Sequence, residues 1–154
     1  MKTIYFDMDG TLASLFFVKG YAKMLDAKDS TPYAIAGTLF KADEMKTVID
    51  GLKSKGYSIG IISYTGKDGD KEFAKEVEKV KREWLAKNFP YADSDKIHIV
   101  SPETPKVEFA KSADDILVDD AKKNREEWEK TGRTAINAYF RAPIKMLDAL
   151  KALI

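Results

Sequence analysis

The sequence contains no cysteine and almost no net charge, and each absence excludes a class of function. Without cysteine, disulfide bonds, thiolate catalysis and cysteine-ligated zinc sites are ruled out. The 154 residues include 26 basic and 25 acidic side chains. This near-equality argues against a nucleic-acid or membrane surface that depends on bulk charge. Since no apolar run approaches the length of a membrane span, we also expect no membrane partner.

The first apolar run does not read as a secretion signal. It is interrupted by Asp7 and Asp9, whereas a signal peptide has a continuous apolar core. The length suits one domain, and a hydrophobic fraction of 44% is sufficient for a buried core. We therefore expect a soluble, single-domain, cytoplasmic protein.

Short apolar runs alternate with helical patterns along most of the chain. The runs are rich in β-branched residues and show little polar alternation, as expected for strands buried on both faces of a sheet. They are TIYF (3–6), SIGII (58–62), IHIV (97–100), ILV (116–118) and TAINA (134–138). Helical spacing of apolar residues occurs over 43–55, 70–87, 121–131 and 143–153. The alternation predicts a three-layer α/β fold with a parallel sheet.

Residues 14–41 do not follow this alternation. We interpret them as a small, mostly helical insertion over one end of the sheet, with 1–13 and 42–154 forming the core. The aromatic side chains of the insertion include Phe16, Phe17, Tyr21 and Tyr33. These aromatics either form the core of the insertion, which is the usual fate of such residues, or provide a wall that contacts a substrate base.

Polar residues directly follow four of the predicted strands. They are Asp7, Ser63, Ser101 and the pair Asp119 and Asp120. In a parallel α/β sheet the carboxyl ends of the strands form the ligand-binding edge, so these residues should meet there. A cluster of carboxylates favours a hard divalent cation with oxygen ligands. The simpler alternative, a solvated Asp-Gly turn after the first strand, does not explain the second acidic pair.

An EF-hand calcium loop that starts at Asp7 is excluded. Its sixth and twelfth positions would be Leu12 and Val18, where glycine and glutamate are required. Instead, IYFDMDGTL (4–12) resembles the first motif of the haloacid dehalogenase (HAD) superfamily, an apolar strand followed by Asp-x-Asp-Gly-Thr-Leu.

Three further segments resemble the later motifs of this superfamily, in the same order. They are Ser63 after IGII, Lys106 in TPKVEFA, and the Asp119–Asp120 pair after ILV. The resemblance spans residues 3 to about 137, and more loosely points to the 5′(3′)-deoxyribonucleotidase-like branch of bacteria and phages. It implies a three-layer, Rossmann-like parallel α/β sheet, with the family's small cap at 14–41.

The resemblance implies a Mg²⁺-dependent phosphomonoester hydrolase that forms an aspartyl-phosphate intermediate. Asp7 would be the nucleophile and Asp9 the general acid and base. Ser63 and the Tyr64 backbone N–H would bind phosphate oxygens, and Lys106 would neutralise the transferring group.

The implied Mg²⁺ site consists of Asp7, the Asp9 backbone carbonyl and Asp119. Asp120 would be a further ligand or would hold a metal-bound water. Asn124 would orient this group, or would simply occupy the first turn of the next helix.

The expected substrate is a small phosphorylated metabolite, for which nucleoside monophosphates are the leading candidates. The alternatives are a sugar phosphate, a phosphate at a polynucleotide end, and a non-catalytic module that binds metal or phosphate.

Other polar residues receive bland interpretations. Lys111 is the alternative to Lys106 for neutralising the transferring group, but it is expected to face water. Lys67 could reach a substrate, but we interpret it as a surface lysine. The charges of EKVKREWLAK (78–87) are interpreted as a solvated helix face. His98, within IHIV, is interpreted as a packed strand residue with no role.

Overall fold

Five strands form one parallel sheet in the computed structural model, which describes residues 1–66 and 69–154. The strands are β1 (Lys2–Phe6), β2 (Tyr57–Tyr64), β3 (Ile97–Val100), β4 (Ile116–Asp119) and β5 (Thr134–Asn137). Their order is β3-β2-β1-β4-β5, and all neighbouring pairs are parallel. The five apolar runs all form strands, which confirms the predicted fold class.

Six α-helices accompany the sheet within the described ranges. They are α1 (Tyr21–Asp26), α2 (Thr31–Ile35), α3 (Ala42–Ser54), α4 (Lys71–Asn88), α5 (Lys122–Glu129) and α6 (Ile144–Lys151). The last four correspond to the four predicted helical segments. The Asp70 side chain caps α4 by accepting the N–H groups of Glu72 and Phe73 at 3.0 and 3.1 Å. No helix in these ranges is long and apolar enough to cross a membrane.

Alternate residues of the central strand point to opposite faces of the sheet and belong to separate cores. Ile4 and Phe6 of β1 are buried in the larger core, which includes side chains from α3, α4 and α6. Tyr5 points to the opposite face, where it is buried with Trp128 of α5. Because helices cover both faces, the strands lack polar alternation. Trp84 of α4 is buried in the larger core.

Residues 14–41 lie between β1 and α3. They contain a 3-10 turn at Leu15–Phe17 followed by the short helices α1 and α2. Tyr33 of α2 is buried together with Phe73 and Val77 of α4. The segment is thus anchored to α4, the helix that follows β2.

Candidate active site

The central strands β1 and β4 bring acidic residues together at the carboxyl edge of the sheet. Phe6 pairs with Val118, so Asp7 and Asp119, the next residues, lie side by side. The Asp7 N–H donates to the Val118 carbonyl at 2.9 Å and extends the pairing. Asp120 follows directly, and one carboxylate oxygen from each of the three acids lies within 4.8 Å of the others. Sheet topology therefore creates an acidic cluster from distant parts of the chain.

The Lys106 ammonium group is in contact with this cluster. Its Nζ donates to Asp7 Oδ1 and to Asp119 Oδ2, at 2.7 Å in each case. The residue is only 2% exposed and lies in a 3-10 turn after β3. The competing residue Lys111 is exposed, and its backbone N–H donates to the side chain of Asp115, which precedes β4 at the opposite end of the strand from Asp119. Of these two lysines, Lys106 is the one that the fold brings to the acids.

The start of α5 holds the acidic pair that ends β4. Asp119 accepts the Ala121 N–H at 2.8 Å on Oδ1 and the Asn124 amide at 3.0 Å on Oδ2. The Arg125 guanidinium donates to the backbone carbonyls of Asp119 and Asp120 at 2.9 and 2.6 Å. Among the residues with described positions, no lysine or arginine forms an ion pair with the Asp120 carboxylate. Asn124 is thus in direct contact with the cluster, in keeping with an orienting role.

The turn after β1 depends on glycine. The N–H groups of Thr11, Leu12 and Ala13 all donate to the Met8 carbonyl, at 2.8 to 3.1 Å. Gly10 has a φ of +79°, and a Cβ there would lie 2.6 Å from Asp120 Oδ2. The sequence Asp-Gly-Thr therefore folds into a tight turn that brings the backbone against the acidic cluster.

Lys81 is a buried residue of the site that the sequence interpretation missed. Its Nζ donates to Asp9 Oδ2 at 2.6 Å, to Ser63 Oγ at 2.9 Å and to the Tyr64 carbonyl at 2.7 Å. The residue is 1% exposed. The interpretation of residues 78–87 as a solvated face is therefore wrong at this position. The spacing could have predicted this burial, because Lys81 lies four residues after the buried Val77 and shares its face of α4.

The hydroxyl groups expected at the sheet edge have different fates. Ser63 is fully buried in β2, and Tyr64 ends that strand. The Tyr64 hydroxyl donates to the Thr104 carbonyl at 3.1 Å, and its ring lies 5.1 Å from Lys106 Nζ. Ser101, by contrast, is exposed. Ser63 and Tyr64 therefore lie at the site, whereas Ser101 follows the edge strand β3 and its hydroxyl accepts the Glu103 N–H at 3.4 Å, away from the acidic cluster.

Burial changes the acidity of the cluster. Burial raises the pKa of Asp7 to about 8, with Lys106 opposing the shift and the Asp119 and Asp120 carboxylates adding to it. Burial, followed by the Asp119 carboxylate, raises the pKa of Asp120 to about 6. Burial disfavours the charge of Lys106, but the Asp7 and Asp119 carboxylates outweigh it and raise the lysine pKa. The repulsion between the buried acidic groups therefore favours the binding of a further cation beside Lys106.

A cleft of about 520 Å³ opens beside Asp120. It is lined by Phe16, Phe17, Tyr21, Asp120, Phe140 and Arg141. Phe16 is 38% exposed and Phe17 is 64% exposed. For these two residues, the interpretation as core of the insertion is wrong, because the 3-10 turn points them towards the loop after β5. There the Phe16 and Phe140 rings pack edge to face with centroids 5.3 Å apart.

Two residues considered from the sequence do not contribute to this description. Lys67 lies outside the described residues. His98 is stacked on Phe109, with ring centroids 4.3 Å apart. This packing agrees with its interpretation as a structural residue of β3.

No protein-family model matches the chain, and no curated protein matches it either. The motif resemblance and the geometry of the site are therefore the two grounds for a functional assignment.

Proposed function

We propose that the protein is a Mg²⁺-dependent phosphomonoester hydrolase of the HAD type, which forms an aspartyl-phosphate intermediate on Asp7. The observation that carries this proposal is the buried Lys106 ammonium group, which bridges Asp7 and Asp119 at 2.7 Å. A fixed cation beside a carboxylate nucleophile suits the transfer of an anionic phosphoryl group, because it offsets the charge that develops on the reacting oxygens.

The donor set fits Mg²⁺, which prefers oxygen ligands and few carboxylates. Asp7, Asp119 and Asp120 would supply side-chain oxygens, and the motif resemblance adds the Asp9 backbone carbonyl. With the Asp9–Lys81 pair included, four carboxyl groups of the site face two ammonium groups. A divalent cation would offset the excess of acidic groups. When bound, Mg²⁺ would polarise the phosphoryl oxygens and reduce their repulsion of the attacking carboxylate.

The first step transfers the phosphoryl group to the protein. Because Lys106 occupies Oδ1 of Asp7, we assign Oδ2 as the attacking oxygen. A bond forms between this oxygen and phosphorus while the bond from phosphorus to the substrate oxygen breaks. Asp9 donates its proton to the departing oxygen, which leaves as an alcohol.

The second step returns the protein to its starting state. Asp9, now a carboxylate, accepts a proton from the water that attacks phosphorus. The acyl-phosphate bond breaks, inorganic phosphate forms, and the Asp7 carboxylate is regenerated. During both steps Ser63 and the Tyr64 N–H would bind phosphate oxygens, and Lys106 would offset their charge.

The aromatic cleft supports a nucleoside monophosphate as the substrate class. The cleft shares Asp120 with the acidic cluster, so a substrate whose phosphate reaches Asp7 would direct its remaining part towards Phe16 and Phe17. Stacking of a base on an aromatic side chain contributes about 1–3 kcal/mol. The Arg141 guanidinium, beside the Phe140 ring, adds hydrogen-bond donors that a base or sugar could use.

The test is phosphate release from a substrate panel in Mg²⁺ and in EDTA. The panel contains nucleoside 5′- and 3′-monophosphates, sugar phosphates, an oligonucleotide with a 3′-phosphate, and p-nitrophenyl phosphate. We compare wild type, Asp7→Asn and the control Asp50→Asn, which changes an aspartate that is 60% exposed on α3. We expect Mg²⁺-dependent release from nucleotides by wild type and Asp50→Asn, and none by Asp7→Asn.

Trapping the intermediate separates this mechanism from direct attack by water. After acid quenching during turnover, a phosphorylated peptide that contains Asp7 should appear in wild type and be absent from Asp7→Asn. Activity on sugar phosphates alone would retain the mechanism and refute the substrate class. A folded wild type that releases no phosphate from any substrate would refute the enzyme and favour a binding module.

A further inference from the structure

Lys81 makes a complete set of contacts in the interior of the site. An ammonium group has three N–H donors and no acceptor. In Lys81 these face three acceptors within 2.6 to 2.9 Å, namely Asp9 Oδ2, Ser63 Oγ and the Tyr64 carbonyl. Because every donor is used, the group has one favourable orientation, and the acceptors are fixed relative to each other.

The contact with Ser63 determines what the serine hydroxyl can do. Lys81 donates into one lone pair of Oγ, so the hydroxyl hydrogen must point away from Nζ. Ser63 is fully buried and lies in β2 next to β1, the strand that ends at the acidic cluster. The hydroxyl is thereby kept as a donor, which is the form that an anionic oxygen requires.

The contact with Asp9 separates its two oxygens. Lys81 occupies Oδ2 at 2.6 Å, so a proton carried by Asp9 belongs on Oδ1. The Asp9 side chain remains 23% exposed, so the carboxyl group is not sealed in the interior as Lys81 is. A carboxyl group held in this way presents one defined oxygen to a leaving group and, later, to water.

Lys81 also connects the insertion to the site. Its Nζ lies 4.6 Å from the centre of the Tyr33 ring, within the range of a cation–π contact. Tyr33 belongs to α2, so one lysine contacts the turn after β1, the end of β2 and the insertion.

We infer that Lys81 is a positioning residue for phosphoryl transfer, which aims the Ser63 hydroxyl at the phosphate and reserves Oδ1 of Asp9 for the transferred proton. This inference rests on the proposed function. Lys81 itself contacts neither the phosphate nor the leaving group; it acts through the two side chains that do.

A leaving-group comparison distinguishes positioning from simple support of the fold. An alkyl phosphate needs a proton on its departing oxygen, whereas p-nitrophenol leaves readily as an anion. We expect Lys81→Met to lower kcat about 100-fold on a nucleoside monophosphate and less than about tenfold on p-nitrophenyl phosphate. Asp9→Asn should show the same asymmetry, and the double variant should be no slower than Asp9→Asn on the nucleotide.

The matched control is Lys79→Met, two residues earlier on α4 and 77% exposed, which should retain wild-type kcat on both substrates. Equal losses on both substrates in folded Lys81→Met, or no loss, would overturn the positioning role.

A second measurement does not depend on activity or on a destabilised variant. In ¹H–¹⁵N spectra of the lysine ammonium groups, Lys81 of the wild type should give a signal protected from exchange with water, assigned by its absence in Lys81→Arg. This signal should shift in Ser63→Ala and when inorganic phosphate is added with Mg²⁺. Rapid exchange, or no response to Ser63→Ala, would overturn the inference. If wild type hydrolyses nothing, the proposed function fails, and the spectra alone decide whether Lys81 holds Asp9 and Ser63.

Discussion

Replacing Gly10 with alanine should disturb the acidic site through the turn that follows β1. Gly10 has a φ of +79°, a conformation that costs a non-glycine residue about 1–2 kcal/mol. The added Cβ would lie 2.5 Å from Phe16 Cε2 and 2.6 Å from Asp120 Oδ2. The partly exposed Phe16 ring can move away, but the Asp120 carboxylate must retreat by about 1 Å to reach an ordinary contact distance. Misplacement of that size can lower a rate about 100-fold.

Gly56→Ala is the matched control for backbone strain. Gly56 has a φ of +85°, and no atom lies within 4 Å of an added Cβ. In EDTA, we expect both variants to lose unfolding free energy through this strain. In urea unfolding with Mg²⁺ at about 100 times its Kd, wild type should gain about 2.7 kcal/mol. Gly56→Ala should keep this gain, and Gly10→Ala should lose most of it.

The Gly10 prediction has a clear contrary result. Equal stabilisation of the two variants by Mg²⁺ would refute the assignment of Asp120 to the metal site. Equal kcat in the two variants would refute the argument that the turn controls the position of this carboxylate.

Three further predictions concern single side chains. Lys106→Met should lower the unfolding free energy in EDTA by about 3–5 kcal/mol in urea melts, because two buried carboxylates lose their shared cation, whereas Lys111→Met should change it by less than about 0.5 kcal/mol. The pKa of His98 is lowered first by burial and then by nearby basic groups, so the unfolded chain binds the proton more readily. The contribution of neutral His98 to the unfolding free energy should be fully present above the ordinary value of 6.5 and should be lost as the pH falls below it. A urea midpoint unchanged between pH 7.5 and pH 5 relative to His98→Phe would contradict this. Phe17→Ala should raise KM for nucleotides but not for sugar phosphates, which have no aromatic ring to stack, and Ile144→Ala, another exposed apolar change, should raise neither.

Strand and helix positions were accessible from the sequence because burial on both faces leaves a simple pattern. Ile4 and Phe6 face one helical layer and Tyr5 the other, so β1 is apolar throughout. Strand ends were less accessible. The apolar run of β2 stops at Ile62, yet pairing with β3 continues through Tyr64, because the polar Ser63 is used in the interior.

The acidic side of the site was predictable because its members adjoin strands. Asp7 and Asp119 each directly follow an apolar run, and the parallel pairing of β1 with β4 places them side by side. Lys81 was not found from charge alone, since it lies among charged neighbours in the middle of α4 and its partners come from the turn after β1 and from β2. Only its register with Val77 separates it from the solvated lysines of the same helix.

The sequence did not show which aromatic residues of the insertion are buried and which are exposed. Tyr33 is buried against α4, while Phe17 remains largely exposed. The difference comes from the 3-10 turn at Leu15–Phe17, in which Leu15 points inward and the two phenylalanines face the loop after β5. Composition carries no information about such a turn, because its partner Phe140 lies over a hundred residues away in the chain.

The central place of β1 in the sheet has a consequence for the order in which the chain acquires its parts. During synthesis, β1 can pair with β2 as soon as that strand emerges, but its other neighbour, β4, comes more than fifty residues later. Until then Asp7 has neither Lys106 nor Asp119 beside it. Contacts across such a separation form late and slow the folding of a domain. A nascent chain that ends before β4 should therefore expose the apolar edge of β1 and be a target for chaperones.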